Sequence, residues 1–270
     1  MSTQNPYAPP ESDLANQNSN SNQTLTLASS PKSNSAGAAW GWIKSGFANF
    51  KASPLFWIIN MILMFIIFIV LSLIPFLGMI ITNILNPVIM GGIMLGTYAV
   101  SKGQPMTVEH LFAGFKKNAG GLVTVGVLYL VGIIVLLLLT GAIAYLTGGF
   151  DGFMTLASAQ TGQSPDPAQI LSAYSSLKIA GLFYIVMLIP LMFSIMFAPA
   201  LIVMHDLKPI EAMKLSFLGS VKNILPLIIW FILLVLLFIL GAIPLALGWF
   251  VVIPMSMAST FAAYKTIFTD

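Results

Sequence analysis

Five long stretches of this chain carry no charged residue: Leu55–Ile74, Met79–Val100, Leu122–Leu146, Ile179–Met204 and Ile224–Ala246. A sixth, Leu247–Ile267, holds a single lysine close to its end, Lys265. A run of about 20 residues rising 1.5 Å each matches the roughly 30 Å hydrocarbon core of a bilayer. In hydrocarbon every backbone donor and acceptor must be paired internally, so runs of this length imply helices; the strands of a membrane barrel are about half as long. With 58% hydrophobic and 7% charged residues, and a mean hydropathy of +0.95, a water-soluble domain would lack the polar groups to cover its surface. Lipid is the expected solvent, and an all-α bundle of six spans the expected fold.

The six runs are arranged as three tandem units. Each has a short amphipathic helix carrying lysine, an apolar span ending at Ile-Pro, and a second span interrupted by another proline. The markers are Trp40–Lys51, Ile74-Pro75 and Pro87 in the first unit. They are Thr107–Lys117, Ile189-Pro190 and Pro199 in the second, and Ile210–Lys222, Ile243-Pro244 and Pro254 in the third. Two spans per unit is an even number, so every unit enters the bilayer in the same direction.

All eleven basic residues are lysine. Ten of them fall in segments that even-numbered crossings place on one side, and only Lys178 falls on the other. Retention of basic loops in the cytoplasm then puts both termini inside, with the turns after Ile74 and Ala246 and the loop Thr147–Ser176 outside. The lysines read as topology and headgroup contacts; nucleic acid would call for a denser patch with arginine. Residues 1–36, rich in Asn, Ser, Gln and Pro, bury too little surface to offset chain entropy and are expected to form a disordered cytoplasmic tail ahead of a 37–270 membrane domain. Within it, Asn5-Pro6-Tyr7-Ala8-Pro9-Pro10 favours an extended polyproline conformation, suited either to a protein partner's groove or to a stiff spacer. No cleavable signal peptide precedes Leu55–Ile74, which is expected to serve as an uncleaved anchor.

The lead-in segments show helical periodicity: Trp40, Ile43, Phe47 and Phe50; Val108, Leu111, Phe112 and Phe115; Ile210, Met213, Phe217 and Val221. They are expected to lie in the interface, the second capped by Thr107. In the outer loop, glycines and prolines from Gly148 to Pro167 mark turns, and Asp166-Pro167 opens a short helix with Ile170, Tyr174 and Leu177 on one face, resting on the outer leaflet or capping the bundle.

The chemistry is mostly negative. All eight carboxylates lie in the tail, loops or C-terminus, which removes the groups an intramembrane acid, base or ion-coupled carrier would use. His110 and His205 sit near the basic end at no metal-ligand spacing and read as solvated interfacial residues. Cysteine is absent, which rules out thiolate chemistry and disulfides. No catalytic, metal or cofactor site is therefore assigned. Thr82, Asn83 and Asn86 before Pro87, Ser194 before Pro199, and Ser256, Ser259 and Thr260 after Pro254 are either interhelical hydrogen-bonders or the lining of a polar pocket between kinked helices. Gly92 and Gly96 form a small-xxx-small pair for close helix approach, within the bundle or in a homo-oligomer.

The motifs Gly41-Trp42-Ile43-Lys44-Ser45-Gly46-Phe47, Pro54-Leu55-Phe56-Trp57, Ile74-Pro75-Phe76-Leu77-Gly78, Asn86-Pro87, Gly91-Gly92 and His110–Phe115 resemble a family of uncharacterised six-span bacterial inner-membrane proteins. Phe197-Ala198-Pro199-Ala200-Leu201 and Ala212–Ser216 extend the resemblance over nearly everything after Ala38. More distantly the chain is similar to the membrane domain of some glycerophosphodiester phosphodiesterases, whose soluble catalytic barrel it lacks. The resemblance implies a multi-pass protein of the bacterial inner membrane and supplies no catalytic residue. Two readings follow: a non-enzymatic scaffold or modulator of partners or lipid, and a carrier or flippase for an uncharged or amphiphilic molecule.

Overall fold

The computed structural model describes residues 25–160 and 165–270; Met1–Thr24, with the Asn5–Pro10 stretch, and residues 161–164 lie outside the described residues. The described chain is helical, with one isolated bridge between Leu27 and Thr269. Six helices are long and apolar enough to cross a membrane. In order the elements are α1 (Ala38–Ala52), α2 (Pro54–Ser72), α3 (Leu77–Ser101), a 3-10 turn (Val108–Phe112), α4 (Ala113–Lys117), α5 (Ala119–Leu146) and α6 (Gly149–Gln160). They continue with α7 (Pro167–Met196), α8 (Ala198–His205), α9 (Pro209–Lys222), α10 (Ile224–Ala242) and α11 (Trp249–Phe268).

Local chemistry sets the boundaries. Pro54 occupies the first turn of α2, where its missing N–H is no loss. Asn118 caps α5 by accepting from the Gly121 amide at 3.1 Å. The turns after α2 and α10 share one device: Ile-Pro followed by an apolar residue at positive φ, Phe76 (57°) and Leu245 (52°). Both tips are bare, 86% and 92% exposed.

The lead-ins pack around the ends of the proline-bearing helices in a regular order. Helix α1 lies on α11, the 3-10 turn and α4 lie on α3, and α9 lies on α7 and α8. At each crossing a small residue meets backbone. A Cβ on Gly46 would collide with the Met255 carbonyl and Ser259 amide, one and five residues after Pro254. On Gly114 it would collide with the Val88 carbonyl and Gly92 amide, one and five residues after Pro87. At the third crossing the residue is Ser216, whose hydroxyl donates to the Phe193 carbonyl at 2.6 Å and accepts from the Phe197 amide at 3.0 Å. It thus stands in for one rung of the helical ladder, and the helix breaks there into α7 and α8.

Three expectations are corrected. Ile189-Pro190 does not end a span: Pro190 lies inside α7, and the turn of the middle pair is Thr147–Gly148 followed by α6. Asp166-Pro167 opens no short separate helix but the 30-residue α7 itself, because nothing between Pro167 and Ile189 breaks it; Tyr174 is exposed there while Ala173 packs against Gly152. Residues 25–36 are not a loose tail. Ala28 and Lys32 donate from their amides to the carbonyls of Phe268 and Ile267, and Lys32 pairs with Asp270 at 3.0 Å. Asn223, fully buried, accepts from the Asn34 amide at 2.8 Å and donates to the Lys32 carbonyl. Sequence composition missed this because the anchoring groups belong to the far end of the chain.

Candidate functional site at the lysine-bearing end

Between the kinked helices, where a polar pocket was one of the two alternatives, the core is filled. Val88, Met94, Phe197, Leu201, Ile202, Phe261 and Tyr264 are buried in one cluster, crossed by a chain of ring contacts from Tyr98 through Phe261, Tyr264 and Phe268 to Phe197. The polar residues singled out from sequence do not converge. Asn83 donates to its own helix at Met79, Ser194 to Pro190, and Ser256 to Ile253, each i to i−3 or i−4. Asn86 is exposed. Only Ser259 reaches another helix, accepting from the Trp230 indole at 3.0 Å. Gly92 and Gly96 serve close approach within the chain: the backbone of His110 and Leu111 passes against Gly92, and the Met106 and His110 side chains cover Gly96.

The two histidines are half-buried, and each is tied into the fold by a hydrogen bond. His110 Nδ1 accepts from the Thr107 amide at 3.0 Å, so its ring proton sits on Nε2 and the ring closes the 3-10 turn. His205 Nε2 bonds the hydroxyl of fully buried Tyr264. Among the described residues no group of three His, Asp or Glu side chains could hold a metal.

Sequence reading missed a polar staple at the top of the first hairpin. The Trp57 indole donates to Asn49 Oδ1 (3.2 Å), Asn49 Nδ2 donates to the Thr97 carbonyl (3.1 Å), and Asn60, with no exposed surface, donates to the Thr107 carbonyl (3.0 Å). These bonds hold α1, α2 and α3 in a fixed relation. Above the staple a cleft of about 510 Å³ opens between α1 and the C-terminal ends of α3 and α11. Trp42, Ser45, Asn49, Thr97, Ser101, Lys265 and Thr266 supply its polar lining, and among the described residues no carboxylate takes part. A second, apolar cleft of about 430 Å³ lies between α5 and α7 and includes Pro190.

The lead-ins turn two unlike faces. Their small residues face protein: Ala39 and Gly46, Gly114, Ala212, Ser216 and Gly219 are buried. Their large apolar residues face outward: Trp40, Phe47, Phe112, Phe115, Ile210 and Val221 are exposed. Lysine accompanies them, with Lys51 Nζ 5.5 Å from the centre of the Phe47 ring. Of the expected interfacial stripes, Ile43, Phe50 and Leu111 are instead buried against neighbouring helices.

Comparison with protein-family models, with curated proteins and with solved structures finds no match to this chain.

Proposed function

We propose that this chain is a multi-pass protein of the bacterial inner membrane, with both termini cytoplasmic, built as three tandem units closed into a ring. Its role is that of a non-enzymatic scaffold or modulator of its lipid surroundings and protein partners. The observation that carries the reading is the double face of the lead-ins. Bare aromatic and aliphatic side chains with flanking lysines form a girdle at the end where the termini meet, the arrangement that suits a headgroup layer. The ring is supported by the crossings at Gly46, Gly114 and Ser216, since each unit's lead-in rests on the last helix of the unit before it, the first resting on the third. The filled centre between the kinked helices weighs against the carrier reading, because a cargo path there would have to displace Phe261 and Tyr264.

The chain has no native cysteine, so single cysteines report sidedness directly. In intact cells a membrane-impermeant thiol reagent should label a Phe76→Cys variant and leave a Lys51→Cys variant unlabelled until the membrane is opened. Equal labelling of both in intact cells overturns the topology, and with it the assignment of the girdle to the cytoplasmic leaflet.

A further inference from the structure

We propose that the cleft above α1 binds the phosphate and glycerol region of one anionic phospholipid. This rests on the membrane reading above and goes beyond it by naming a site and a ligand class. Two lining groups on opposite walls are unspent: among the described residues neither the Lys265 ammonium on α11 nor the Ser45 hydroxyl on α1 has a hydrogen-bond or carboxylate partner. The other polar side chains are committed. Trp42 donates to Thr266, Asn49 to the Thr97 carbonyl, and Ser101 to the Tyr98 carbonyl. A cation and a hydroxyl donor facing one space, with no acidic group among its described lining residues, recognise a phosphate oxyanion. The rest of the wall is apolar, mostly small residues such as Gly41, Ala48, Ala52 and Ala262 with Val100 and Phe261 among them, and suits a glycerol backbone and the start of an acyl chain. Its volume is in the range of small-molecule sites. The cleft lies beside Trp40 and Lys44 of the girdle on α1, so a lipid reaches it from the adjoining leaflet.

Gly41 provides a useful probe. A Cβ there meets nothing within 4 Å, so the side chain of Gly41→Leu starts into open space on the wall of the cleft, and the substitution favours the helix. The full chain, purified in non-ionic detergent, is given phosphatidylglycerol, phosphatidylcholine or inorganic phosphate, and bound lipid and thermal unfolding are read together. One phosphatidylglycerol per chain is expected to remain bound and to raise the unfolding temperature. Binding should weaken about tenfold in Lys265→Gln and be lost in Gly41→Leu, but stay unchanged in Lys208→Gln, whose lysine lies outside the cleft. Equal binding by all variants, or by phosphatidylcholine, overturns the site. Equal stabilisation by phosphate alone overturns the lipid and leaves a soluble anion. Because Gly41→Leu leaves Lys265 in place, loss of Lys265→Gln to misfolding still leaves the proposal open to refutation. Failure here would leave the cysteine-labelling result standing, so the two readings fall separately.

Discussion

The middle helix pair and the two flanking hairpins begin from the same kind of sequence and end differently. Gly126 of α5 lies against Ile84 of α3, and from that level α5 runs on to Leu146 while α3 reaches back only to Leu77. At 1.5 Å per residue these are about 30 Å and about 10 Å, so the middle pair stands roughly 20 Å beyond the first hairpin's turn. The flanking hairpins close on Ile-Pro with a strained apolar tip; the middle pair has no such turn, continues past Pro190, and carries α6 at its far end. The three lead-in crossings lie at the lysine-bearing end, whereas the far part of α5 and α7 is largely exposed, with Leu138, Leu146, Ile179 and Leu182 all bare, and its close approaches are those of Gly149 and Gly152 to α7. One molecule thus holds a lysine-bearing end keyed by three lead-in crossings and a far stretch whose outer faces are specified by little more than hydrophobicity.

The same mutation at two glycines gives the sharpest break between these regions. Gly114→Ala places a methyl group inside the Val88 and Gly92 backbone and should cost about 3 kcal/mol of stability, seen as early thermal unfolding in detergent. Gly141→Ala, on the exposed far part of α5 with nothing within 4 Å, should be neutral or stabilising by up to about 1 kcal/mol. Equal losses would erase the distinction between the two ends. Next in size, Ser216→Ala strands the Phe193 carbonyl and the Phe197 amide in a buried site and should cost about 2 kcal/mol; Ser216→Thr, which keeps the hydroxyl, should recover part of it. Smaller still, Asn223→Ala releases the 31–34 segment at a cost of about 1 kcal/mol, with faster hydrogen exchange at the Asn34 amide than at amides of α9. Deletion through Ala36 removes the hydrogen bonds of the 26–34 segment to α9 and to the chain's last residues and should lower the unfolding temperature.

The six long helices were legible because a long run without charge is visible in the sequence itself, and the observed ends differ from the expected ones by a few residues at five of them. The lead-ins were legible as amphipathic, but their orientation was not. Hydrophobic periodicity reports the large residues, which divide between the packed and the bare side, whereas the closest crossings are made by small ones, and the dipeptides Gly46-Phe47, Gly114-Phe115 and Ser216-Phe217 mark them more faithfully. The Ile189-Pro190 marker misled because an interior proline and a turn proline look alike without the partner that decides between them. The ordered 25–36 segment was invisible for a related reason: its hydrogen bonds go to Asn223, Ile267 and Phe268, some 190 to 240 positions away. The cleft, too, is made of residues from three helices that no local pattern joins. Asn60, mid-span in the sequence and ringed by protein in the fold, was passed over because a lone amide in an apolar run has no periodicity to announce it.

The contact between the Trp42 indole and Thr266 spans 224 positions and belongs to the largest helix–helix seam in the molecule. Synthesis runs from the first of these residues to the last, so α1 has only its staple to α2 and α3 to rest on at first and lacks its main seat until α11 has been made. Nearly the whole polypeptide must therefore be made before its opening helix is fully seated, and late steps of biogenesis, rather than early ones, decide whether the molecule closes. A truncation that removes α11 would leave the start of the protein, as much as its end, without a home.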